Sequence, residues 1–516
     1  MPDKNTNRIA RNTVALYIRM SVMMLIGLYT SRVVLNTLGV SDFGIYNVVG
    51  GVVGMFSILT ASLSSSISRY LTFELGTGNA EKLKRVFSTS LNVQLIMAIG
   101  IVIITEIVGV WFLNTRMNIP AERLPAANWV MQGSILVFVV NLLMVPYNAS
   151  IIAHEKMEVF AYVSIWDAAM KLVVVFALLF SPFDKLKTYA VLLVGVSIMT
   201  TTIYWSYCRK HFEECHYHFF RDKSLLREMT AYAGWAFLGD GAWVLNTEGI
   251  NILINLFFGV TLNAARGIAV TVDNMVQSFV RNFMTALNPQ ITKSYAAGDY
   301  AYMHRLIFFG SKYSYFLMLL FVFPLWFETK LILTLWLKLV PDYAVIFVQL
   351  TLATSLCMML GNTLVTAISA TGEIRKYELV MGTLALSNFP LTWLAFKFGL
   401  SPVSAYIIYL CIFFMMIFVR IYMAKGKIMM SGWDFIHQVL FKVGAVTVLA
   451  AIIPGLICLL QEDSIIRLLE VCVVSMLCTI ISIYLIGMNH KERESIMAII
   501  TSKLRQKKDL KIEHLE

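Results

Sequence analysis

Charge is scarce in this chain: Asp, Glu, Lys and Arg make up 14% of its 516 residues, against 58% hydrophobic. A soluble domain cannot hide that much apolar surface, whereas a bilayer removes the need to. Connecting segments long enough for an independent folded domain are also missing. The seven cysteines (Cys208, Cys215, Cys357, Cys411, Cys458, Cys472, Cys478) are scattered, with no CxxC and no disulfide framework. There is no G-x-x-x-x-G-K-[ST] phosphate loop, so ATP hydrolysis is not the evident driver of any activity.

What is present is a recurring hydrophobic run of about 20 residues, long enough to cross a roughly 30 Å hydrocarbon core. Such runs predict about fourteen spans, near 12–34, 42–66, 86–113, 128–150, 159–180, 188–207, 228–257, 266–289, 306–327, 343–369, 377–397, 403–423, 437–460 and 465–487. The expected fold is an all-α polytopic membrane protein. The start, "MPDKNTNRIARNTVALYIRM", is basic and leads into a full span without a small-residue cleavage site, which predicts a retained first helix rather than a signal peptide. The net charge of +11 does not point to nucleic acid. With the N-terminus inside, most Lys and Arg fall in inside segments, and the positive-inside rule then places both termini in the cytosol.

Two stretches about 220 residues apart look alike: "GTGNAEKLKRVF" (76–87) and "AAGDYAYMHRLI" (296–307). Upstream of them, "LGVSDFGIY" (38–46) and "FGVTLNAARGIA" (258–269) occupy equivalent places between paired spans. An even number of spans per repeat gives parallel repeats related by an axis along the membrane normal. The expected organisation is two six-helix lobes related by a pseudo-two-fold, 1–208 and 228–424, joined by a cytosolic linker at 209–227. An appended helix pair (425–488) and a basic cytosolic tail (489–516) follow.

Charges at membrane depth cost roughly 2.5–3.5 kcal/mol each on insertion scales and face a cavity or a partner. In "RGIAVTVDNMVQSFVRN" (266–282), Arg266, Asp273, Gln277 and Arg281 fall within about 80° of one another at 100° per residue. The row lines something polar, either a wet cavity or a structural network between two helices. The seventh span adds Asp240, Asn246, Glu248, Asn251 and Asn255, with Gly234, Gly239, Gly241 and Gly249 loosening the helix. Asp167 and Lys171 are spaced i,i+4, where each neutralises the other, for structure or for function. Arg32 and Arg19 point about 140° apart. Arg32 is the cavity candidate and Arg19 snorkels, with the roles interchangeable. Lys312, Arg420 and Lys442, near cytosolic helix ends, are expected to snorkel. Glu106 sits near the outer end of the third span.

Other features carry structural readings. "HFEECHYH" (211–218) holds His, Glu and Cys but no zinc spacing, and reads as a solvated connector. Gly50 and Gly54 in "GGVVG" have the small-xxx-small spacing of close helix packing. Pro146, Pro289, Pro324 and Pro454 are candidate kinks or breaks.

The stretch "LNTLGVSDFGIYNVV", followed by "SISRYLTFELGTGNAEKLKRVFSTS", resembles the N-terminal signature of bacterial polysaccharide and O-antigen flippases. These belong to the multidrug/oligosaccharidyl-lipid/polysaccharide exporter superfamily. The resemblance implies a fourteen-helix, two-lobed exporter of the bacterial cytoplasmic membrane, moving a polyprenyl-diphosphate-linked oligosaccharide outward by alternating access. It implies a cationic central cavity, for which Arg32, Arg266 and Arg281 are the candidates here. Gln277, Lys171 and Arg19 complete the substrate-binding set. Guanidinium groups suit a diphosphate through charge-assisted, often bidentate bonds.

No cofactor is implied. An ion gradient, the membrane potential or downstream consumption would supply energy, with H+ or Na+ as coupling ion and Asp240, Asp273, Asp167 and Glu106 as coupling carboxylates. Expected partners are the lipid-linked oligosaccharide, membrane lipids and polysaccharide polymerase machinery. The nearest rival is a cation-coupled multidrug exporter of the same superfamily, whose cavity should be net acidic. A membrane enzyme of polysaccharide assembly would need a sizeable surface loop, and 114–127 and 328–342 are short.

Overall fold

The computed structural model describes residues 4–56, 67, 70–71, 74–75, 79–154, 156–218, 244–371, 375–489 and 492–494, with residues 4–21 and a few others described by backbone alone. Every regular element among the described residues is helical. In order they are α1 (Lys4–Gly54), α2 (Ala80–Thr115), α3 (Leu124–Ala153), α4 (Met157–Phe180), α5 (Lys185–His211), α6 (Ile250–Phe258), α7 (Val260–Ala296), α8 (Tyr300–Phe327), α9 (Thr329–Leu337), α10 (Ala344–Ala370), α11 (Arg375–Lys397), α12 (Val403–Ile428), α13 (Gly432–Leu460) and α14 (Ile465–Ser482). Helices satisfy their backbone groups internally, which hydrocarbon demands. Eleven helical segments among the described residues are long and apolar enough to cross a membrane. Their outward faces are greasy: Ile103, Ile107 and Trp111 on α2, and Ile466, Leu469 and Val473 on α14, are all exposed. Each such side chain would forgo roughly 1.5–3 kcal/mol in water. In lipid it forgoes nothing, so the chain is a multi-pass membrane protein with a fold of about fourteen transmembrane helices.

The expected repeat is visible in the backbone. α1 is broken at Gly39 (φ 80°, ψ 170°), and α6 ends at Gly259 (φ 83°, ψ −178°). Both dihedral pairs belong to a region open to glycine and closed to residues with a Cβ. Each glycine precedes Val and then Ser or Thr. The second pair of stretches matches too: Asn79 caps α2 by accepting from the Lys82 N–H, and Asp299 caps α8 by accepting from the Tyr302 N–H. By contrast, α3, α8 and α13 run unbroken through Pro146, Pro324 and Pro454. The breaks are made by glycine.

Two compact units divide the chain. The first comprises Met1–Val272, Thr334–Phe347 and Glu378–Ile412. Its core sets Ile45, Val48 and Val52 of α1 with Val130, Met131 and Ile135 of α3 and Ala190 of α5. One end is clasped by Arg123, which donates Nε to Asp42 Oδ1 at 2.8 Å and Nη1 to Asp184 Oδ2 at 2.7 Å. Asp42 lies in the "LGVSDFGIY" stretch, and Asp184 also caps α5 through the Lys187 N–H. Close packing falls on other glycines than expected. A Cβ on Gly44 would collide with the Val260 carbonyl oxygen, whereas one on Gly50 would meet nothing within 4 Å. Gly50 and Gly54 instead line a cavity of about 220 Å³ with Gly133, Ser134 and Asn141.

The described start of the segment after α5 is anchored on one side and solvated on the other. Phe212, Glu214 and Cys215 are buried. Glu214 Oε1 meets His154 Nε2 at 2.6 Å, and Phe212 stacks on the same imidazole at 4.0 Å. Buried apolar contact and a satisfied carboxylate fasten this stretch to the end of α3.

The second unit comprises Asp273–Leu333, Val348–Tyr377 and Phe413–Glu516. The α8 helix is its most buried span, and α14 with its terminal π-turn (Ile483–Gly487) packs closely on it. A Cβ on Gly487 would lie 2.8 Å from the Phe316 ring. Arg467 on α14 forks onto Glu328, Nε to Oε1 at 2.8 Å and Nη2 to Oε2 at 2.9 Å, with the Glu328 side chain fully buried. Lys312 does not snorkel: it is 3% exposed and bonds both carboxylate oxygens of Glu492 at 2.9 and 2.7 Å. The half-buried Arg420 lays its guanidinium beside Gly361.

Candidate functional site

In the first unit the polar residues gather where α1, α6 and α7 meet. The π-helical turn Leu245–Gly249 precedes α6 and carries Thr247 and Glu248. A π-turn widens the helix by one residue and re-aims its carbonyls, and such turns cluster at functional sites. Arg266 of α7 donates Nη2 to the Thr247 carbonyl at 2.6 Å and Nη1 to the Tyr406 hydroxyl at 3.5 Å. Its guanidinium lies 5.9 Å from the centre of the Tyr406 ring, which stacks on Phe347 at 4.2 Å. Glu248 lies within electrostatic reach of Arg266 and accepts from Asn251. Gly51 makes room for it: a Cβ there would sit 2.5 Å from Glu248 Oε2.

Beside this cluster runs a ladder of asparagines. Asn251 donates to the Asn47 carbonyl at 3.3 Å, and Asn263 donates to Asn251 Oδ1 at 2.8 Å. Asn255 donates to Asn263 Oδ1 at 3.2 Å and accepts from the Asn118 N–H at 3.0 Å. Asn246 donates to the Ala385 carbonyl at 2.6 Å and accepts from Asn388 at 2.7 Å. Asn246, Asn251 and Asn255 are therefore satisfied side chains that hold helices together, since an unpaired amide in hydrocarbon costs several kcal/mol.

In the second unit, α7 continues with Asp273, Gln277 and Arg281. Ser355 of α10 donates to Asp273 Oδ1 at 2.6 Å, and Gln277 donates to Asp273 Oδ2 at 2.8 Å. Arg281, exposed, donates to Gln277 Oε1 at 3.4 Å. Three members of the expected row thus form one chain of hydrogen bonds, from a surface cation to an inner carboxylate.

The other candidates lie apart. Asp167 pairs with Lys171 at 2.7 Å and accepts from Thr200 at 3.0 Å, all within the first unit. Glu106 lies on a π-turn of α2 (Thr105–Gly109) and accepts from Gln132 at 3.1 Å. Arg32 is half-buried on α1 and makes no ion pair among the described residues. Arg19 lies on α1 as well. Asp240 lies outside the described residues. Among the described residues no three His, Cys, Asp or Glu side chains gather as a metal site. Glu248, absent from the candidate set, belongs in the Arg266 cluster. Its signal in the sequence was the register with Asn251, but the π-turn that shifts its face leaves no trace in a 3.6-residue period.

Residues 9–295 match the family described as polysaccharide biosynthesis protein. The uncharacterized membrane protein EpsK of Bacillus subtilis (strain 168) is 20% identical over 273 residues, 52% of this chain and 53% of that protein, so the match spans about half the length of the curated relative. The fold is similar to lipid II flippase MurJ in an inward closed conformation, with TM-score 0.66 and 12% identity over 92% of this chain and 98% of that one. It is also similar to an inward-facing MATE family multidrug resistance transporter, with TM-score 0.62 and 11% identity over 80% and 94%. A further likeness is a transporter of the MOP superfamily from Pyrococcus furiosus, with TM-score 0.59 and 13% identity over 81% and 95%.

Proposed function

This chain belongs to the polysaccharide biosynthesis protein family, and from that membership we propose that it is an exporter of the multidrug/oligosaccharidyl-lipid/polysaccharide superfamily, flipping a polyprenyl-diphosphate-linked oligosaccharide across the bacterial cytoplasmic membrane by alternating access. The observation that carries the reading is the setting of Arg266. Its hydrogen bonds to described residues go to a carbonyl and a phenol, both neutral, and consume two of the five donors a guanidinium offers. A diphosphate suits the remainder, because charge-assisted bonds to anionic oxygens are about twice as strong as neutral ones. Arg32, Arg281, Gln277, Lys171 and Arg19 complete the proposed substrate contacts.

In this reading the lobes are 1–208 and 228–424, with 209–227 between them and 425–488 appended, and both termini are cytosolic. The matched breaks and caps 220 residues apart support two equivalent lobes. The protein acts as a carrier and not as an enzyme. Asp273, Asp240, Asp167 and Glu106 are the proposed coupling carboxylates, for H+ or Na+.

The test is leaflet-resolved labelling of a lipid-linked oligosaccharide in proteoliposomes. Outer-leaflet probe should reach nearly all of the glycolipid with the protein and about half without it. Equal labelling in both preparations sinks the reading. Protein-dependent uptake of a cationic dye with no effect on the glycolipid would replace it with drug export.

A further inference from the structure

Three cations and one carboxylate crowd the end of the second unit where α13 begins and α14 has ended. Lys312 holds Glu492, and Lys442 lies within electrostatic reach of Lys312, Glu492 and Arg493. The carboxylate is already spent. Both its oxygens bond the buried Lys312 ammonium, and Oε2 also accepts the Asn489 N–H at 2.7 Å, closing the turn that leads to Arg493. Lys442 and Arg493 have only neutral partners among the described residues. Lys442 donates to Asn489 Oδ1, while Arg493 donates Nη2 to the Leu485 carbonyl and lies over the Tyr484 ring at 5.4 Å. The Arg493 Nε is buried with no acceptor among the described residues. The Arg493 N–H bonds the Asn489 carbonyl at 3.0 Å, so both cations flank one turn.

We propose that Lys442 and Arg493 form a headgroup site for an anionic phospholipid, holding its phosphate between an ammonium and a guanidinium. The lipid is favoured by depth and by charge. Exposed Trp433 and Tyr484 stand at the same end of α13 and α14, where aromatic side chains mark the membrane–water interface. Exposed Phe441 and Leu485 adjoin the two cations and offer acyl chains an apolar wall. Two positive charges without a carboxylate of their own match a headgroup of net negative charge better than a zwitterion. Both cations follow π-turns, Ile436–Leu440 and Ile483–Gly487, which set their helix ends off the ordinary register. The site is independent of the cargo and of which leaflet it faces.

Native mass spectrometry and thermal unfolding of the purified full chain test the site, with phosphatidylglycerol, phosphatidylcholine and inorganic phosphate as probes. Phosphatidylglycerol should be retained in preference to phosphatidylcholine and should raise the unfolding midpoint, while inorganic phosphate should leave it in place. Each removed cation should weaken that binding about fivefold, so K442Q with R493Q should weaken it roughly 25-fold. K442R with R493K should retain it. The proposal fails if wild-type protein does not discriminate between the two lipids, if inorganic phosphate reproduces the shift, or if the folded K442Q/R493Q protein binds as wild type does. If that variant does not fold, discrimination by wild type and its retention in K442R/R493K decide between the site and its absence.

Discussion

Ser355 donates its hydroxyl to Asp273 Oδ1 at 2.6 Å, tying α10 to α7 within the second unit. The second carboxylate oxygen is taken by Gln277, which also donates to Ser355 Oγ at 2.9 Å. A closed triangle of this kind is rigid and fully satisfied while the carboxylate is ionised. Asp273→Asn should keep the protein abundant but abolish the dependence of transport on the ion gradient, because an amide cannot exchange a proton there. Ser355→Ala should cost about 1–3 kcal/mol of stability through loss of a bond to a charged acceptor. Gradient-driven transport at the wild-type rate in Asp273→Asn would remove this carboxylate from the coupling set.

Arg266→Ala should lower glycan export about 10- to 100-fold, the kinetic equivalent of losing one charge-assisted bond to phosphate. Export is normalised to abundance, because removing Arg266 also takes the cation from beside the half-buried Glu248. Arg281→Ala should lower export likewise. Export assays beside quantitative immunoblots of membranes read both; undiminished export in both variants would refute the assignment of substrate contacts to α7.

Asp167 and Lys171 are partly exposed, at 21% and 49%, so breaking the pair should cost less than the several kcal/mol of a fully buried one, about 1–3 kcal/mol. Asp167→Asn and Lys171→Met should each lower the unfolding midpoint, and the double variant should recover it. Recovered stability with absent transport would place the pair in the transport path; recovery of both would make it structural.

The clasp around Arg123 makes stability depend on acid. Burial raises the Asp184 carboxyl, but the Arg123 guanidinium and the Lys187 N–H outweigh it and hold it below the ordinary carboxylate value. A carboxyl lowered by folding stabilises fully above its unfolded value of about 3.9, and that stability drains away as pH falls through the folded value. Wild type should therefore be more stable than Arg123→Gln at pH 7, and the gap should narrow by pH 3. Unfolding midpoints with the same gap at both values would contradict the clasp.

Gly44→Ala should reduce abundance severely, because the added methyl meets the backbone of Val260 rather than a side chain that can move. Gly50→Ala should be tolerated, since its methyl enters the cavity. Comparable loss in both variants would refute this contrast in packing, since helix propensity favours Ala over Gly at either position.

Much of the fold was legible because hydrocarbon leaves few choices. A run of apolar residues of the right length must be a helix, and the repeat showed itself in Gly39 and Gly259 and in Asn79 and Asp299. Periodicity also gave the row of Asp273, Gln277 and Arg281. What it does not give is the neighbour. Gly44 and Gly50 look alike until Val260 is set against one and a void against the other. Lys312 and Glu492 are 180 positions apart, and no local pattern announces a pair made by tertiary register. The π-turns under Glu106 and Glu248 were equally hidden, since one extra residue per turn rotates a face without changing composition.

Forty residues separate Gly39 from Asn79, and forty separate Gly259 from Asp299. The letters between them differ, yet this count is the same in both. Along α7 each position is worth about 1.5 Å and 100°, so one residue inserted there would swing every downstream side chain by more than a quarter turn and misplace the Asp299 cap. The interval from break to cap behaves as a ruler: its markings differ between the two stretches, and its length is the same.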